Sequence, residues 1–236
     1  MDEGGIQLRT PLFWHIYSLF ARSNSKNSKN ILTMTSIKAI IFDFGGVLID
    51  WSPHNLYQSY FPDHPQAIDE FLKEVDFYTW NAKQDQGRSF IEAVTELSEK
   101  FPHRRELIQA YADNWEDSIT GEFKGTIEIL YELKSKGYPL YGLSNWSAET
   151  FPLIKDDYPF FNKFDEIILS GEVGLIKPDP EIYHLLLSKI SYTANECVFI
   201  DDSMANIDAA KDLGLQVLHF KSPEILRNNL EGFGLL

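Results

Sequence analysis

The sequence predicts an α/β fold: a parallel sheet with helices on both faces and a small helical cap inserted after the first strand. Three observations predict it. Apolar runs such as IKAIIF (residues 37–42) and ECVFID (196–201) are uninterrupted, as strands buried on both faces require. Such runs alternate with helical stretches, the pattern of a sheet layered between helices. Residues 51–120, after the first strand, carry helical periodicity and no convincing strand. The architecture expected is therefore a doubly wound, Rossmann-like sheet.

Each element has a local reason. The first strand, 37–42, stops where Gly45 and Gly46 signal a turn, which places Asp43 at its C-terminal tip. In the insertion, SFIE reads as a capping box formed by Ser89 and Glu92. Residues 121–137 have helical period and end in Gly137; 138–144 and 165–170 read as strands. Helix 180–190 opens with Asp179 as cap and Pro180 in first position. Strand 196–201, helix 205–214 closed by Gly214, strand 215–220 and a last helix over 222–230 complete the chain. The expected domains are a flexible extension over 1–36, a core made of 37–50 and 121–236, and a cap over 51–120.

Composition narrows the function classes. With 236 residues, 44% hydrophobic and 24% charged, the chain reads as a soluble globular protein with one sizeable domain and an insertion. A formal charge of -14 argues against nucleic acid or anionic membrane as partner, because both are bound by neutralising phosphates. Cys197 is the single cysteine, which rules out an intrachain disulfide and a CxxC motif. The first 34 residues differ: Asp2 and Glu3 stand against Arg9, Arg22, Lys26 and Lys29, and LFWHIYSLF is too short to span a bilayer. A cytoplasmic location is expected. Organellar targeting by the extension, or a natural start at Met34, are the competing readings.

Chemistry concentrates at four strand ends. They carry Asp43; Ser144 and Asn145; Lys177; and the pair Asp201–Asp202, in that order along the chain. Taken singly, each has a plain structural reading: a helix cap, a turn or a solvated lysine. The conjunction is far more specific. FDFGGVL, LSN, KPDPEIY and FIDDSMANIDAA, in this order, resemble the four motifs of the haloacid dehalogenase superfamily. The likeness covers residues 37 to the C-terminus. It is nearest to the subgroup holding α-D-glucose-1-phosphate phosphatase and the phosphatase domain of soluble epoxide hydrolase. The resemblance implies a hydrolase of small phosphate monoesters, a sugar phosphate or similar metabolite, with magnesium as cofactor and Asp43 as nucleophile.

The residue types suit that chemistry. An aspartate, with an ordinary pKa of about 3.9, attacks without a base, but its charge repels a phosphoryl group. Magnesium between Asp43 and Asp202 would neutralise both, with the Gly45 carbonyl as a further ligand and Asp201 either a ligand or the partner of Lys177. Lys177 adds positive charge, while Ser144 and Asn145 are expected to hydrogen-bond the phosphoryl oxygens.

One position departs from the pattern. Most phosphatases of the resembled family place a second aspartate, a general acid and base, where this chain has Gly45. The cap stretch YTWNAKQDQGRSF offers Trp80, Lys83, Gln84 and Arg88 as candidate substrate contacts, against the plainer reading of a tryptophan packing a small helical unit. Two rival functions remain: a metal-free 2-haloacid dehalogenase, against which Asp201 and Asp202 argue by repelling a carboxylate substrate, and a catalytically weak binding protein, motivated by Gly45.

Overall fold

The computed structural model describes Met1 and residues 36–236; apart from Met1 and Ser36, the extension expected over 1–36 lies outside the described residues. In chain order the strands are β1 Ala39–Phe42, β2 Ile49–Trp51, β3 Ile119–Glu122, β4 Leu140–Ser144, β5 Glu166–Leu169, β6 Cys197–Asp201 and β7 Gln216–His219. Five of them form one parallel sheet in the order β5-β4-β1-β6-β7. The chain starts in the middle, builds outward through β4 and β5, then returns to the other side of β1. The strand order therefore reverses at β1, and the crevice beyond its carboxyl end is where such sheets bind ligands.

The centre of the sheet is apolar because β1 has no polar side chain to bury. Its residues alternate between two apolar layers: Ile40 and Phe42 pack on one face, Ala39 and Ile41 on the other, all fully buried. Just past Asp43, the Phe44 ring is inserted among Trp146, Phe151, Phe161 and Phe164. Gly142 makes room for it, since a Cβ there would overlap the Phe44 ring. The Phe44 carbonyl accepts from the N–H groups of Leu48 and Ile49 at 2.8 and 2.9 Å, which folds the GGVL segment into a tight loop. Packing thus locks the residue next to Asp43 on one side and the turn on the other.

Helices Pro53–Tyr57, Gln66–Glu74, Phe77–Asp85, Phe90–Lys100 and Arg105–Asp113 lie between β2 and β3. Tyr57, Phe71, Phe77, Trp80 and Tyr111 interlock among them, mostly edge to face. The Ser89 hydroxyl accepts from the Glu92 N–H at 3.2 Å, one half of the expected capping box; instead of the reciprocal bond from the Ser89 N–H, the Glu92 carboxylate accepts from the Ser89 hydroxyl at 3.0 Å.

Three features differ from expectation. β2 and β3 form an antiparallel ribbon at the two ends of the insertion, and the helix expected from residue 121 starts at Lys124. These strands are too short for a hydrophobic period to show, and they are held across the chain by Thr120 donating to Asp50 at 2.5 Å. Gly121, at φ +137°, is extended in a way the helical pattern cannot reveal. Asp179 precedes Pro180 as expected, but its side chain makes no capping hydrogen bond.

Candidate functional site

The tips of β1, β4 and β6 and the loop carrying Lys177 bring the sequence-expected residues together. Asp43 Oδ1 accepts three hydrogen bonds: from the Phe44 N–H at 2.7 Å, from Ser144 Oγ at 2.8 Å and from Lys177 Nζ at 2.9 Å. Its other oxygen, Oδ2, accepts none from the described residues. One carboxylate oxygen is thus pinned while the second is left for chemistry.

Lys177 is fully buried, and its three ammonium protons are all spent: on the Leu143 carbonyl at 2.8 Å, Asp201 Oδ2 at 2.7 Å and Asp43 Oδ1 at 2.9 Å. Burial pushes such an ammonium toward neutrality, but Asp201 and Asp43 outweigh it and hold its pKa above the usual lysine value. Lys177 therefore acts here as a fixed charge that orients Asp43.

Asn145 holds the lysine's backbone rather than standing open. Its Oδ1 accepts from the Lys177 N–H at 2.8 Å and its Nδ2 donates to the Lys177 carbonyl at 2.9 Å. The Ser144 hydroxyl is likewise committed to Asp43. Both residues sit where expected, and their hydrogen bonds in this structure organise the protein. One amide hydrogen of Asn145 is left over, and Asn145 lines the cavity described below.

The neighbouring aspartates divide their work. Asp201 is completely buried and saturated: it accepts from Lys177, from the Ser203 N–H at 2.8 Å and from Asn206 Nδ2 at 3.0 Å on each oxygen. The Asp202 carboxylate is exposed and takes no hydrogen bond from the described side chains. Although the residue is exposed, desolvation by the atoms packed around its carboxyl and the repulsion of Asp201 raise its pKa. Burial also lifts the Asp43 carboxyl well above the ordinary range, against the pull of Lys177, with Asp201 and Asp202 adding to the rise. Three carboxylates confront a single lysine, so the cluster is short of positive charge.

That shortage fits a divalent cation. Asp43, Asp201 and Asp202 each offer an oxygen within 4.8 Å of the others. Gly46, at φ +74°, packs directly against Asp202, and a Cβ there would come within 2.5 Å of Asp202 Oδ2. The Gly45 carbonyl accepts no hydrogen bond from the described residues. Hard oxygen donors held in this way suit magnesium.

A cavity of about 60 Å³ opens beside these groups, lined by Gly45, Asn145 and Trp146 from the strand-end loops, by Trp51 and Trp115 near the ribbon, and by Asn81, Asp85 and Tyr111 from the helical insertion. Of the insertion residues expected to meet substrate, none lines it. Trp80 is buried and donates to the Ala93 carbonyl at 3.0 Å. Arg88 is spent on Gln84, Glu96 and the Trp80 carbonyl, and Lys83 is exposed. The plainer reading of that stretch holds for Trp80 and Lys83, whereas Gln84 is fully buried and accepts from Arg88.

Asp85, from the same stretch, is the residue that sequence reasoning passed over. It ends helix Phe77–Asp85, and a carboxylate at the negative end of a helix is electrostatically misplaced, a signal legible in the sequence.

Comparison with known proteins accords with this geometry. Residues 37–214 match the family model for haloacid dehalogenase-like hydrolases. The chain is 28% identical over 185 residues to the sesquiterpene phosphatase astK of Aspergillus oryzae, spanning 78% of this chain and 90% of that one. It is 30% identical over 166 residues to mouse bifunctional epoxide hydrolase 2, covering 67% of this chain but 28% of that protein. A haloacid dehalogenase family enzyme of Bacteroides thetaiotaomicron, solved with magnesium and inorganic phosphate, superposes with a TM-score of 0.59 at 26% identity, over 79% of this chain and 95% of that one.

Proposed function

The chain belongs to the haloacid dehalogenase-like hydrolases and stands with their phosphatases; on that premise we propose that it hydrolyses small phosphate monoesters, with magnesium, through an aspartyl-phosphate on Asp43. The observation that carries this reading is the asymmetry of Asp43: three donors grip Oδ1, and Oδ2, at the carboxyl end of β1, accepts none from the described residues.

In this reading the free oxygen of Asp43 attacks phosphorus and the ester oxygen leaves. Ser144 and Lys177 keep the nucleophile aimed, which limits the cost of ordering it at the moment of reaction. Asp43, Asp202 and the Gly45 carbonyl would hold the magnesium ion, whose charge offsets the repulsion between carboxylates and phosphate. Asp201 holds Lys177 in place, and Asn145 fixes the loop that carries it. The cavity beside the site admits a small group, consistent with a small phosphorylated metabolite.

The dehalogenase reading fares worse on the same geometry. A 2-haloacid brings its own carboxylate, and here it would meet Asp43, Asp201 and Asp202 with Lys177 already saturated. A panel of phosphate esters assayed with and without magnesium tests the proposal. Magnesium-dependent release of phosphate is expected and would also dispose of a purely binding role; release of halide from a 2-haloacid without metal would overturn it.

A further inference from the structure

Hydrolysis of an ester of an ordinary alcohol releases an alkoxide, and that oxygen needs a proton as it leaves. The groups at the nucleophile do not offer one. Lys177 has no free N–H, Ser144 already donates to Asp43, and Gly45 has no side chain. A Cβ built on Gly45 would meet nothing within 4 Å, so the space beside the nucleophile is open on the side of the cavity.

Asp85 lines that same cavity from the insertion. We propose that Asp85 is the general acid and base of this enzyme, donating its proton to the leaving oxygen and later taking one from the attacking water. The inference rests on the phosphatase reading above and assigns its missing proton donor.

The surroundings of Asp85 are built for a neutral carboxyl. Its partner is an amide: Asn81 Nδ2 donates to Asp85 Oδ2 at 2.9 Å, and the Tyr111 hydroxyl donates to Asn81 Oδ1 at 2.9 Å. No lysine or arginine pairs with it among the described residues. It ends a helix, where the macrodipole opposes negative charge. Burial pushes its carboxyl up to about 8, against a hydrogen bond from the Ser147 backbone and with help from Asp43. The backbone there is bolted to the strand-end loops: the buried Ser170 hydroxyl accepts from the Trp146 N–H at 2.9 Å and donates to the Asp85 carbonyl. The helix end is therefore held in register with the site.

The steps balance. As the bond from Asp43 Oδ2 to phosphorus forms and the phosphorus–ester oxygen bond breaks, the Asp85 proton moves to that oxygen, releasing the alcohol. Asp85, now a carboxylate, takes a proton from water as the water oxygen bonds to phosphorus. The Asp43–phosphorus bond then breaks, phosphate leaves, and both aspartates are restored.

The test is leaving-group dependence in Asp85→Asn, which keeps the shape and the contact with Asn81. With magnesium present, kcat/KM is measured for phenethyl phosphate, whose alkoxide needs a proton, and for para-nitrophenyl phosphate, whose phenolate does not. Loss of a general acid lowers the first by roughly 10²–10⁴-fold and the second by less than about tenfold. The para-nitrophenyl ester should also show a burst of phenolate followed by slow turnover, because the phosphorylated Asp43 lacks its base. In the double variant Gly45→Asp/Asp85→Asn, a carboxyl placed in the open space should recover part of the phenethyl phosphate rate. Equal losses on both esters, or no loss on either, would overturn the assignment of Asp85 while leaving the phosphatase reading standing. A parent protein inert toward every ester would overturn both.

Discussion

Asp43, at the tip of β1, and Asp85, at the end of the insertion helix, are both driven toward the neutral form by burial, yet only Asp43 has a cation bonded to it. Asp43 lies 2.9 Å from Lys177, within a cluster that would take a further positive charge, so its anionic form is within reach. Asp85 has an amide, a backbone N–H and the negative end of a helix, and no lysine or arginine among the described residues pairs with it. On the proposed mechanism the same residue type serves as nucleophile on one side and proton donor on the other. The difference lies in what each carboxyl touches, and four experiments break or sharpen it.

The largest effect is expected at the nucleophile. Asp43→Asn should lower turnover on the order of 10⁶-fold, the scale of deleting a nucleophile, with the fold intact by circular dichroism. Preserved turnover would end the covalent mechanism. Next comes the cation that separates the two aspartates. Lys177→Met leaves Asp201 buried without its partner and should cost about 3–5 kcal/mol of stability, read from urea denaturation. A stability change under about 1 kcal/mol would show that the buried pairs contribute little.

Asp85 gives a smaller, pH-dependent effect of defined sign. Its folded-state pKa is raised to about 8, so its contribution to stability is complete below the ordinary aspartate range and is lost as pH rises through about 8. Between about pH 5.5 and 7.5 the native state binds up to one proton more than the unfolded chain, a fall of at most about 1.4 kcal/mol per pH unit from this group. Urea denaturation of the metal-free protein and of Asp85→Asn across that window should show a shallower slope in the variant. Identical slopes would place the titration elsewhere.

The smallest stability effect belongs to Asp202. Because its carboxylate takes no hydrogen bond from a described side chain, Asp202→Ala should change stability by no more than about 0.5 kcal/mol while raising the magnesium concentration needed for activity. Asp201→Ala should do the reverse, with a stability loss and a lesser shift in the magnesium titration. Equal magnesium titrations for parent and both variants would refute this division of roles.

Much of this site was legible in the sequence. Asp43, Ser144, Asn145, Asp201 and Asp202 follow apolar runs, and strand ends in a parallel sheet share one edge, so their convergence follows from periodicity, whereas Lys177 is brought in by a loop that Asn145 braces. The strands that carry them appear where the β-branched runs place them, with small shifts at the ends. Their individual tasks were less visible. Ser144 and Asn145 were expected to face the phosphoryl group, and the structure turns them toward Asp43 and the Lys177 backbone. Of the two glycines in the turn, the positive φ belongs to Gly46, and the space at Gly45 is open.

By itself the sequence determined the parallel sheet, the place of the insertion and the set of residues at the carboxyl edge, because each depends on local hydrophobic period and on chain order. Tertiary structure alone decided which of two adjacent aspartates pairs with Lys177, which residues of the insertion turn inward, and that Asp85 comes to line the cavity beside Gly45. Those outcomes depend on contacts between segments far apart in the chain, such as Ser170 with Asp85 and Tyr111 with Asn81. No local pattern encodes them, since the same helix closes over the site or away from it according to how its far neighbours pack.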